Sequence, residues 1–168
     1  MLPSLATAEQ GVLGVSEAPS GYDIAIDDHT PGTRTVYIVH MFTDGSAGCS
    51  FGYVEDPGMT MVRVGGGPVS GMFALGDLDG GVAVAYQECK VGSFPVYRID
   101  YVAFGTSASC SFLRVAPHPT DGAMLLADCL GMVTRRFSSI DAFVNGDVTC
   151  YPGPTASSTW GRVKALYR

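Results

Sequence analysis

The chain has 168 residues, 46% of them hydrophobic, with ten Lys/Arg against sixteen Asp/Glu and a net charge of −6. That is enough chain for one well-cored domain and too little to expect two. The acidic balance, with Lys90 and Lys164 the only lysines, offers no basic field to nucleic acid or an anionic membrane, and no apolar run approaches the roughly 20 residues that membrane insertion needs.

The first residues contain Ala6-Thr7-Ala8 before Glu9, the small-x-small form of a signal peptidase site, without a charged or apolar region in front of it. This is read as the remnant of a longer precursor, and so as a sign of secretion, with a chance match as the alternative. Residues 1–18 then carry a short apolar stretch, Val12, Leu13 and Val15, that is either an edge strand or an arm for a neighbouring sheet edge.

Residues 19–155 form the expected body. Glycine and proline punctuate short β-prone runs throughout, and no 3.6-residue periodicity occurs before the tail. "TVYIVHMF" (35–42) is apolar on both faces, as a central strand requires. "VGGGPVSG" (64–71) is Gly-rich but leads into an extended run rather than a helix, so it is read as a loop, not a phosphate cradle. Asp79-Gly80 marks a tight hairpin turn.

"FPVYRIDYVAF" (94–104) alternates Tyr97, Ile99, Tyr101 and Ala103 inward against Arg98 and Asp100 outward. "GGVAVAYQEC", "CSFLRVA", "AMLLADCL" and "MVTRRFS" are further strands, and Asn145-Gly146 has the form of a type I′ hairpin turn. The expected fold is all-β: an antiparallel β-sandwich, Ig-like or jelly-roll-like or a flattened barrel, with a short C-terminal helix.

None of the five cysteines forms a CxxC pair, which argues for disulfides rather than a zinc or thioredoxin-type site. A hairpin about "PHPTDG" would set Cys110 opposite Cys129, and that bridge is expected first. Cys49 with Cys89 is expected second, leaving Cys150 as the odd thiol.

Chemistry-bearing groups are sparse. His29 lies in a turn, His40 within a strand and His118 at a turn between prolines, and no nucleophile elbow, HExxH or P-loop is present. Asp27, Asp28 and the Asp77–Asp79 segment fall short of a calcium loop, and no cofactor or metal is assigned. Tyr22, Tyr53, Tyr86 and Tyr151 lie near turns and would serve a sugar-stacking surface if exposed.

The tail, residues 156–168, places Trp160, Val163, Leu166 and Tyr167 on one helical stripe behind an N-cap at Ser158 or Thr159. So short a helix must dock on its own body or on another copy. The "VYIVH" strand, Phe51, Pro57, "VAVAYQEC", the "ADC" at Cys129 and the terminal "TWGRVKALYR" together resemble a group of uncharacterised secreted, β-rich bacterial proteins from poorly cultured phyla.

That resemblance covers residues 35–168 and implies export, an extracellular life and no catalytic residues. A cysteine expected near Met59 and others beside Cys110 and Cys150 are missing here, which leaves the pairing open. The leading expectation is a secreted, non-enzymatic structural or interaction protein that self-assembles into a homo-oligomer, fibre or surface layer through its terminal arms. The alternative is a monomeric binding module for a glycan or cell-surface ligand.

Overall fold

The computed structural model describes residues 10–146 and 149–150. The signal-peptidase-like site, Tyr151 and the tail residues Trp160, Val163, Leu166 and Tyr167 lie outside the described residues. Within them the chain is all-β, and no helix long and apolar enough to cross a membrane is present.

Ten strands follow in order: β1 Gln10–Ser16, β2 Ala25–Ile26, β3 Gly32–Glu55, β4 Val62–Pro68, β5 Met72–Asp77, β6 Gly81–Ala103, β7 Ser111–Ala116, β8 Met124–Asp128, β9 Val133–Arg136 and β10 Ala142–Val144. Two of them organise the rest. β3 runs 24 residues and β6 runs 23, and they pair antiparallel from Gly32↔Ala103 to Phe51↔Val82.

The far side of β6 carries β4 and then β5 end to end, and the far side of β3 carries β1, β8 and finally β7. The last four residues of β3 leave the first layer to pair with β7, and β7, β10 and β2 complete a second layer. The product is a β-sandwich. Its one departure from antiparallel order among the named strands is the two-residue parallel pair β2–β10.

The alternation read in residues 97–103 holds: Tyr97, Ile99, Tyr101 and Ala103 are buried while Arg98 is exposed. They pack with Phe51 of the same sheet and with Leu113, Val115 and Val144 from the opposite layer in one core. "TVYIVHMF" is central as expected, with β1 on one side and β6 on the other. Pro95 is tolerated inside β6 because it faces Val39 where the register shifts, so no ladder donor is missed.

Three local expectations change. The glycines 65–67 are not a loop but part of β4, paired with Asp100, Ile99 and Arg98, because backbone ladder bonds need no side chain. Asn145 takes φ 50°, but β10 is already edged by β2 and β7, so no hairpin partner of β10 follows it among the described residues. Its amide donates to the Ile26 carbonyl, its side chain donates to the Ser107 carbonyl and accepts from the Asp28 amide, and so it ties three connections together.

The segment 117–123 also fails to make a β7–β8 hairpin. β7 and β8 both run antiparallel to β3, with Ala116 opposite Gly52 and Leu125 opposite Ser50, so they lie end to end along one edge. Cys110 and Cys129 therefore stand at opposite ends of that run.

The disulfides are instead Cys89–Cys129 and Cys110–Cys150, with Cys49 free and buried. Cys89 lies on β6 and Cys129 directly follows β8, the two strands flanking β3, and their bridge passes over Gly45, where a Cβ would come within 3.3 Å of Cys129 Sγ and 3.6 Å of Cys89 Sγ. Cys49 cannot reach Cys89: opposite Val84, it shares the inward face, while β6 runs on to Cys89 beyond a bulge.

Candidate functional site

On a sheet covered on one face, strand residues alternate between core and solvent, and the solvent positions are ordinarily polar. Half of the β3/β6 sheet breaks that rule. Across β5, β6, β3, β8 and β9, one outward row reads Phe73, Ala85, Gly48, Ala127 and Val133. The next reads Leu75, Ala83, Ser50, Leu125 and Arg135.

Nine of these ten positions are apolar or small. Phe73 is 64% exposed, Leu75 79% and Val133 57%. Apart from Leu125, the central strands β6, β3 and β8 present only small residues and the large ones stand on the flanks, which leaves a groove of about 390 Å³. Gly48 sets its floor: a Cβ there would lie 2.8 Å from the Val84 carbonyl oxygen.

Single exposed apolar residues are ordinary, whereas a registered two-row patch of them is a candidate contact surface. The sequence carried the signal in "GVAVA" and "MLLAD", where positions on both faces of a strand are apolar.

At one edge of the groove three residue types of a hydrolytic triad meet. Asp121 Oδ2 lies 3.4 Å from Ser50 Oγ and 3.4 Å from His118 Nδ1. The carboxylate is thus in the middle, and His118 Nδ1 also accepts from the Thr120 amide at 3.3 Å. A nucleophile needs the base against its own proton. The hydroxyl here donates to Asp121, which makes a structural clasp for the 117–123 connection.

The other histidines are placed by the fold. His29 is exposed, 2.8 Å from Asp27 Oδ1, and hydrogen bonds from its amide and ring lower the Asp27 pKa. His40 is fully buried between the Tyr86 hydroxyl at 2.9 Å and the Gln10 carbonyl at 2.6 Å. A carbonyl only accepts, so Nε2 carries the proton and Nδ1 accepts from Tyr86. Burial lowers the His40 pKa, against a smaller upward push from the Gln10 carbonyl.

Cys49 is in the same core, its thiol pushed up to about 12 by burial despite a hydrogen bond with Tyr86. A protonated, enclosed thiol is inert. Tyr53 is held in the core too, its hydroxyl 3.0 Å from that of Tyr101, which donates to Glu55 at 2.7 Å. Of the four tyrosines considered for stacking, only Tyr22 is exposed among the described residues, and its neighbour Phe42 is tilted 58° to it rather than coplanar.

Asp28 is buried and serves structure. Burial raises its pKa, but the Ser107 hydroxyl and the amides of Gly105 and Ser107 outweigh that and leave it lowered. Asp77 Oδ1 accepts from the amides of Asp79 and Gly80, as the expected hairpin turn requires. Among the described residues no three His, Cys, Asp or Glu side chains gather as metal ligands.

Val12, Leu13 and Val15 lie on β1, an ordinary strand of the chain's own sheet; Leu13 and Val15 are buried in its own core. The backbone of Leu13 and Val15 is further bonded to Ile140.

No protein-family model and no curated protein matches this chain. Among solved structures it is similar to a type II cohesin domain from the cellulosome of Acetivibrio cellulolyticus, with TM-score 0.54 and 14% identity over 83% of this chain and 95% of that one. A non-cellulosomal cohesin from the archaeon Archaeoglobus fulgidus aligns with TM-score 0.53 and 8% identity over 82% and 91%. The cohesin module of a Clostridium perfringens family 33 glycoside hydrolase aligns with TM-score 0.52 and 9% identity over 82% and 99%. At these identities the likeness is one of fold: the sandwich is cohesin-like.

Proposed function

We propose that this protein is an extracellular, non-catalytic interaction module that receives a protein partner on the outer face of β5-β6-β3-β8-β9. The observation that carries this reading is the registered apolar groove, a surface that costs solubility unless something covers it. Two disulfides fit an oxidising compartment. The similar solved modules are parts of larger systems, one from a cellulosome and one from a glycoside hydrolase, which supports a connecting role.

The partner presents an apolar ridge, since a floor of Ala83, Ala85, Gly48 and Ala127 has no side chain to donate or accept a hydrogen bond. Assembly through an N-terminal arm has little support, because Leu13 and Val15 of β1 are committed to the chain's own core and β1 is paired along β3.

The test is affinity capture from the secreted proteins of the source organism on immobilised wild type, Ala85→Glu, Ala127→Glu and Thr33→Glu. A protein retained by wild type and Thr33→Glu but lost from both groove variants is expected. Retention by all four, or by none, overturns the reading.

A further inference from the structure

Resting on the reading of the groove as a docking site, we propose that residues 156–168 of the same chain are its resident occupant, and that an external partner binds by displacing them. This segment holds the only Trp of the chain. Its apolar residues Trp160, Val163, Leu166 and Tyr167 recur at helical spacing, a ridge about 10 Å long at 1.5 Å per residue. The small-residue floor spans β6, β3 and β8, also about 10 Å at 4.8 Å per strand. Size and chemistry agree.

Charge agrees as well. Residues 156–168 carry Arg162, Lys164 and Arg168 and no acid, while the rest of the chain holds seven basic and sixteen acidic residues. On its own face the groove is flanked by Asp77 at the end of β5 and Asp121 beside Ser50, with Arg135 the one base in its two rows. A basic ridge is attracted to that rim, and a rim of this sign selects against acidic competitors.

The tether permits the contact within one chain. Cys150 is fastened to Cys110, at the start of β7, and Leu113 of β7 lies opposite Glu55, five residues along β3 from Ser50. That path is about eight strand residues, or about 26 Å. Residues 151–159 extend to about 30 Å, and Pro152 and Pro154 favour an extended form. A tether whose extended length exceeds that path lets the tail reach the groove within one chain. The same disulfide therefore sets where the tail is delivered.

Trp160 makes its own probe. In the intact protein its emission is expected to be blue-shifted and protected from acrylamide, and to stay so on dilution. Ala127→Lys, an outward position on the groove floor, shifts it to the emission of a solvated indole, whereas Thr33→Lys on the polar half does not; far-UV circular dichroism confirms that all remain folded. A chain ending at residue 155 binds the captured partner at least roughly tenfold more tightly than the full chain.

Solvated emission in the wild type, or emission indifferent to Ala127→Lys, overturns the proposal, as does burial that disappears on dilution, which would seat the tail on a second copy. Loss of this proposal leaves the docking reading standing if Ala85→Glu still abolishes partner capture. The docking reading alone fails if Trp160 is buried in the groove yet the shortened chain captures nothing.

Discussion

β3 and β6 pair from Gly32↔Ala103 to Phe51↔Val82, yet the two halves of that ladder face solvent with different chemistry. Around Thr33–Tyr37 and Arg98–Val102 the outer face presents Thr33, Thr35, Tyr37, Arg98 and Asp100, with Val102 and Val62 of β4 in the end row beside Thr33 and with Thr35 donating to Asp100 at 2.9 Å. Around Gly48–Ser50 and Ala83–Ala85 it presents the apolar groove. The inner faces do not differ: Ile99 and Phe51, one from each half, are both fully buried in the same core. Folding demanded an apolar inner face from both halves, so the difference outside belongs to what each half meets.

The largest effects should ignore the contrast. Ile99→Ala in the polar-faced half is expected to cost about 2–5 kcal/mol and Phe51→Ala in the groove half about 3–5 kcal/mol by denaturant unfolding; a small cost in one half alone would mean the halves do not share a core. Next comes the pin specific to the groove half. Replacing Cys89 and Cys129 together by Ser removes a bridge of sequence separation 40 and should cost about 2–4 kcal/mol, with the groove variants then losing further stability.

The buried His40 gives a pH signature. Its native pKa is lowered, so below the ordinary histidine value of about 6.5 the unfolded chain takes up a proton that the native chain refuses. Stability is therefore whole above that pH and falls as pH drops beneath it, by up to about 1.4 kcal/mol per unit. Asp28, also lowered, holds its contribution until pH falls below the ordinary aspartate value of about 3.9. Thermal melts across pH 4 to 7 should show the first slope in wild type and its loss in His40→Gln.

The smallest stability changes are the most informative. Ala85→Glu and Thr33→Glu both sit on outer faces and should each alter stability by no more than about 0.5 kcal/mol, while only Ala85→Glu removes partner binding. Equal effects on binding would erase the functional contrast between the halves.

Much of this architecture was legible in the chain. Period-2 patterning in residues 97–103 named its buried face correctly because a half-covered strand writes its orientation into alternating polarity. Asp79-Gly80 named its turn because short polar side chains bond the local backbone. The groove was less legible: "GVAVA" and "MLLAD" state that both faces are apolar, but whether the second face meets the protein's own core or solvent depends on which strands lie over it.

Cysteine pairing was decided by tertiary structure alone. The turn "PHPTDG" suggested a hairpin, and a hairpin would have joined Cys110 to Cys129. The chain instead lays β7 and β8 end to end against β3, a long-range choice driven by the shared core. The sequence by itself determined an all-β, single-core chain with few catalytic groups, since local polarity and turn chemistry act within a few residues. Only the tertiary structure decided the disulfides, the burial of His40 and Cys49 and the groove, because each depends on strands brought together from distant parts of the chain.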